Sequence, residues 1–146
     1  MASKRKFIDG FLNVDLEVYS RRPLDLFATA LGETVAVLFV GKQGTRHLAA
    51  VELAGSGWQQ KPDAIIMGLV KLIRRLPEPA RTLWNSASER RFDIGCEAPS
   101  GPHASALALR PSTVAAVAEV SGTIAVTIYP SGERQSNHKE RREKPA

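Results

Sequence analysis

Leu12, Val14, Leu16 and Val18 alternate with Asn13, Asp15, Glu17 and Tyr19. A period of two predicts a half-buried strand with one apolar and one polar face. RRPLDLFATALG follows. Pro23 suits a first helical turn, where its missing N–H costs nothing, and Gly32 suits a C-terminal cap. The short helix between them turns Leu24, Phe27 and Leu31 inward. Val35 to Val40 is apolar on both faces, which predicts a central strand covered on both sides. Gly41-Lys-Gln-Gly44 then turns the chain into a mixed partner strand, Arg46 to Leu53.

GSGWQQ reads as a loop, and Pro62 opens the longest helix, DAIIMGLVKLIRRL. Ile65, Ile66, Leu69, Val70, Leu72, Ile73 and Leu76 recur at three and four residues and form a broad apolar stripe. Pro77-Glu-Pro79 ends it. ARTLWNSASE adds further helical turns anchored by Leu83 and Trp84. RRFDIGCEA is a strand by alternation, and Ala104 to Leu109 is its expected hairpin partner, closed by PSGPH. Pro111 starts another helix, with Gly122 as its cap. Thr123 to Tyr129 is the last strand, expected to point Ile124, Val126 and Ile128 inward. The order β-α-β-β-α-(α)-β-β-α-β predicts an α+β fold: a mixed, mostly antiparallel sheet of about six strands with three to four helices on one face.

The 146 residues suit one domain, over residues 11–130. Residues 1–10 form a basic arm. SGERQSNHKERREKPA, residues 131–146, has no apolar periodicity and reads as a disordered, net basic tail. The net charge is +5. Residues 1–10 and 131–146 each carry +2, which leaves +1 on the body. Binding of nucleic acid would therefore be weak and would use the ends, not a folded face. No run approaches the roughly 18 apolar residues of a membrane span, and no signal peptide is apparent. A lone cysteine forms no internal disulfide, so a reducing cytoplasm is the expected compartment.

RRFDIGCEAPSGPH, Arg90 to His103, looks most like chemistry. Cys96 shares a strand face with Phe92 and Ile94, toward the core. There a thiol is a small hydrophobe with a raised pKa, and His103, in the turn, cannot reach it. Arg91, Asp93 and Glu97 share the other face, to which the first strand could add Asp15 and Glu17. On a solvated face these are ordinary polar residues. Under a second helix layer, Asp93 would need a partner such as an arginine. Paired carboxylates run acid–base chemistry only where their environments separate their pKa values. One Cys and three scattered His fall short of a structural zinc set, so no metal and no cofactor is implied. GKQG is no phosphate loop, and AGSGW is no nucleophile elbow. Trp58 is either an exposed binding anchor or a ring folded over the long helix. Lys71, Arg74, Arg75 and Arg81 form either a basic patch or a solvated helix end.

The first strand leading to a short helix, LVKLIRRLPEPARTLW before FDIG, and ALRPSTVAAVAEVSGTIAVTIYP at the end together resemble a loose set of small bacterial α+β proteins classed as domains of unknown function. Their pattern is a Leu-x-Pro-x-x-Leu…Leu-Ala-x-Leu-Gly helix leading into an Ile-x-Ile-x-Tyr strand. The resemblance spans residues 12–130. Arg110-Pro-Ser stands here for Ser-Pro-Glu, and Val120-Ser for Leu-Gly. The resemblance implies an accessory or immunity-type protein and brings no catalytic residues with it.

Three readings result. The first is a non-enzymatic module that binds another protein, with Trp58, Asp15, Glu17, Arg91, Asp93 and Glu97 as candidate contacts. The second is a small-ligand binder or enzyme on the acidic face. The third is a nucleic-acid accessory protein using its basic ends. A homodimer would form if His47 to Leu53 were an open edge.

Overall fold

A computed structural model describes residues 10–99, 101, 102 and 104–131. The alternating first segment is β1, Phe11–Ser20. A bulge between Phe11 and Asn13 turns Phe11, rather than Leu12, onto the same buried face as Val14, Leu16 and Val18. An extra residue in one strand reverses the parity of what precedes it. Helix α1, Asp25–Leu31, buries Phe27, Ala28 and Leu31, and Gly32 ends it at a φ of 64°. Strands β2, Val35–Gln43, and β3, Arg46–Leu53, form a hairpin as expected, but Gly41, Lys42 and Gln43 belong to β2 and the turn is Gly44-Thr45. Helix α2, Pro62–Arg74, buries Ile65, Ile66, Leu69, Val70 and Ile73. Next come α3, Ala80–Asn85, and β4, Glu89–Glu97. Helix α4, Pro111–Glu119, leads into β5, Thr123–Tyr129.

The fold is α+β, with a mixed five-stranded sheet in the order β2-β3-β1-β4-β5. Only β4 and β5 run parallel; the other neighbours are antiparallel. All four helices contribute to one core cluster, and the sheet residues in that cluster come from a single face. Helix α1 packs on β2 and β3, α2 on β1 and β3, and α4 beside α2 over β5. Asp63 fixes the start of α4 by accepting the Arg110 N–H at 3.0 Å.

Four further expectations change. Ala104 to Leu109 is not a strand. Strand β4 already has β1 on one side and β5 on the other, so the sheet has five strands, not six. The apolar run of β2 lies at an edge, not the centre: Val35 enters the core, while Val37 is 51% exposed. The central places fall to the more mixed β3 and to β1. Ile124 packs against the core, but Val126 and Ile128 lie at the outer edge, 57% and 65% exposed. Finally, the left-handed residue after α4 is Ser121, φ 64°, not Gly122. Residues 1–9 of the basic arm, His103 and the tail beyond residue 131 lie outside the described residues.

Candidate functional site

The face of the sheet opposite the helices collects most of the singled-out polar residues. Cross-strand register aligns Ala36, Glu52, Asp15, Asp93 and Ala125 in one row across all five strands. Beside it runs a second row of Phe39, Ala50, Glu17, Arg91 and Thr123. A third holds Gly41, Leu48, Tyr19 and Glu89. On the other flank, Asn13, Gly95 and Thr127 stand in register. Glu52, Asp15 and Asp93 are thus three carboxylates on adjacent strands. Residues directly opposite each other have Cβ atoms about 4.5–5.5 Å apart, a spacing at which like charges destabilise a sheet.

These groups are not ordinary surface residues. Asn13, Asp15, Glu17 and Asp93 are buried. Tyr129 is buried on the same face, and its ring lies 3.8 Å from the point a Cβ on Gly95 would occupy. The partner of Asp93 is a hydroxyl, not an arginine: Thr127 Oγ1 lies 2.8 and 3.0 Å from its two oxygens. Asn13 donates through Nδ2 to Glu52 at 3.0 Å, while its own buried Oδ1 accepts no hydrogen bond.

Arg91 reaches Glu17 at 3.6 Å and donates to Glu89 at 2.6 Å. Arg46 also donates to Glu89, at 3.1 Å, and stands 4.2 Å from the Tyr19 ring centre; Arg91 stands 5.5 Å from it. The result is a compact corner of two guanidiniums, a ring and a carboxylate. Burial, then the charge of Glu17, pushes the Tyr19 phenol above 10.0. The hydrogen bond to Glu89 raises Arg91, and its counterpart holds the Glu89 carboxyl below 4.5. A lowered folded pKa contributes stability that is complete above the unfolded value and is lost as pH falls through the folded one. Glu89→Gln is therefore expected to lower stability in the neutral region, to leave it nearly unchanged at acid pH where Glu89 is already protonated, and so to flatten the acid limb below pH 4.5, as read by urea unfolding at a series of pH values.

The structure brings Asp15, Glu17, Arg91 and Asp93 together. Glu97 shares their face but sits at the strand end, in register with Tyr129, with its N–H donated to the Gly10 carbonyl at 2.6 Å. Trp58 is 58% exposed in the loop between β3 and α2, so it is not folded away. Its loop leaves the sheet at the end where β1 begins. Asn13, Glu52 and Thr127 complete the site and escaped the candidate set. Their polarity was visible, but their placement depends on register between distant segments.

The basic group divides by role. Arg81 caps the C-terminus of α2, donating to the carbonyls of Leu76 at 3.1 Å and Arg74 at 2.7 Å. Arg74 pairs with Glu119 of α4 at 3.0 Å. Lys71 and Arg75 are exposed. Arg74, Arg81, Trp84 and Glu119 line a cleft of about 360 Å³ between the ends of α2, α3 and α4. Cys96 is half-buried against the core, and burial, then the charge of Asp93, raises its thiol above 9.0.

Among the described residues, no group of three or more His, Cys, Asp or Glu is arranged to hold a metal ion. No described helix is long and apolar enough to cross a membrane. No family model, curated protein or solved structure matches the chain.

Proposed function

We propose that this protein is a non-catalytic binding module, of accessory or immunity type in a bacterial cytoplasm, and that its helix-free sheet face receives a lysine- or arginine-rich segment of a partner protein. The row of Glu52, Asp15 and Asp93 carries this reading. Setting three carboxylates in register raises like-charge repulsion, and burial adds a desolvation cost. Asp15 and Glu52 already have partners within the chain, and a cationic segment laid along the row adds a further favourable charge to those contacts. The unpaired Oδ1 of Asn13 gives that segment an acceptor for one N–H. The Arg46–Tyr19–Arg91–Glu89 corner flanks the row, one to two rows further along the strands, with groups already paired to one another, and so limits how far the segment spreads in that direction.

The test is calorimetric titration of the full chain with a synthetic Lys/Arg-rich peptide, alongside the same peptide with glutamate in place of the cations. The cationic peptide is expected to bind, more weakly as salt rises. Asp93→Asn and Glu52→Gln keep acceptors for Thr127 and Asn13 but remove charge. Each is expected to weaken binding about tenfold, roughly 1.4 kcal/mol. Asp93→Asn is also expected to raise unfolding stability, by about 0.2–1 kcal/mol, by removing the charge opposite Asp15. Equal affinity of both variants and the parent would overturn the reading. So would a chemical turnover that Asp93→Asn abolishes without unfolding the protein.

A further inference from the structure

We propose that two copies of this chain associate side by side through β5 and α4, joining their sheets into one of ten strands. The proposal is independent of the acidic face.

The two edges of the sheet differ in a way that has physical consequences. An open edge strand invites pairing with another chain unless a bulge, a charge or a covering element protects it. Strand β2 has a bulge between Val37 and Phe39 and a lysine at position 42. Strand β5, TIAVTIY, has neither: its register with β4 is continuous, and it carries no charged residue and no proline. Among the described residues it pairs with β4 alone. Val126 and Ile128 project from it, more than half exposed.

The helix above this edge has the same character. Helix α4 is the element that lies beside α2 on the β5 side. Ser112, Val114, Ala115 and Ala118 are exposed on it, with Val114 at 45%. From residue 111 to residue 131 the sequence contains one charged side chain, Glu119, and it already pairs with Arg74 of its own chain at 3.0 Å. In the whole protein 24% of residues are charged. Charge depletion confined to one side of a molecule is a property of interface cores.

Chemistry selects a second copy as the occupant. A charged partner would find nothing complementary on this side, whereas a neutral strand meets its own copy without repulsion. Antiparallel pairing about Val126 sets Val126 against Val126, Ile124 against Ile128, and Ala125 against Thr127. The branched pairs then fall on the helix side and the smaller ones on the other. The two-fold axis also brings α4 to face its copy across Val114, Ala115 and Ala118, side chains small enough for close helix approach. This is the self-complementary geometry of a two-fold interface.

Sedimentation equilibrium of the full chain over a concentration series is expected to give twice the chain mass. The double substitution Val126→Lys, Ile128→Lys is expected to give the single mass with an unchanged circular dichroism spectrum, and Val37→Lys on the β2 edge to leave the dimer intact. In a Cys96→Ser background, Val126→Cys is expected to form a covalent dimer on mild oxidation, and Val37→Cys is not. That second readout decides the matter if the lysine variant misfolds. A parent monomeric at every concentration, a dimer that survives both lysines in a folded chain, or cross-linking no faster at 126 than at 37 would each overturn the proposal.

Discussion

Trp84→Ala is expected to destabilise the protein by about 3–5 kcal/mol, the range for removing a large buried ring. Trp84 is 2% exposed. It joins three parts of the fold that have no backbone bond in common. Its ring stacks on Phe27 of α1 at 6.0 Å between centroids. Its Nε1–H donates to the Val120 carbonyl at the end of α4, at 3.1 Å. The Arg90 guanidinium of β4 lies 5.8 Å over the ring while donating to the Trp84 carbonyl at 2.8 Å. Truncation therefore opens a cavity and leaves the Val120 carbonyl without this donor. Trp84→Phe keeps most of the ring and loses the N–H, so it should cost about 0.5–1.5 kcal/mol, one net hydrogen bond, plus a smaller packing loss. Urea unfolding monitored by circular dichroism checks both. The midpoint should fall with the slope unchanged, and a loss under about 1 kcal/mol for the alanine variant would refute the account.

Gly122→Ala should cost about 1–3 kcal/mol by overpacking, although it adds a single methyl group. A Cβ at this position would lie 2.6 Å from Phe92 Cε1 and 3.0 Å from Val117 Cγ1. Neither neighbour can easily yield, because Phe92 is 0% and Val117 2% exposed. Gly122 is thus required by a close approach, not by its backbone angle; Ser121 takes the left-handed turn. Phe92→Leu removes part of the ring that the methyl would strike. The double variant is therefore expected to be more stable than the sum of the two single losses predicts. Additive losses in a double-mutant cycle would show that the clash is relieved elsewhere.

Local signals were easy to read, and long-range ones were not. The stripe of α2 and the prolines that begin α2 and α4 are properties of neighbouring residues, and the structure agrees with them. The parity of β1 and β4 correctly placed Asp15, Glu17, Arg91 and Asp93 on one face. Strand order is not local. The apolar run of β2 resembles a buried strand because apolar content reports hydrophobicity, not neighbours, and β2 is in fact an edge. The second hairpin was inferred from nearness in sequence, but β4 pairs with a strand more than 70 residues earlier, as Val18 against Arg90 shows. Glu52 and Asn13 were missed for the same reason. Their side chains meet across the strand boundary between β1 and β3, a register that no short stretch encodes.

The place of β1 in the middle of the sheet has a consequence for synthesis. A chain made from its N-terminus produces this central strand before either of its neighbours and must wait for both. Strand β3 arrives within a few dozen residues, but β4 begins only at Glu89. Until then Leu16 and Val18 lack the Phe92 side of their packing, and one edge of β1 is bare. Non-local pairing of this kind slows folding and leaves exposed edges open to misassociation. Ribosome stalling before Glu89 would leave an aggregation-prone nascent chain, and release just beyond Glu97 would leave one whose central strand is already flanked on both sides.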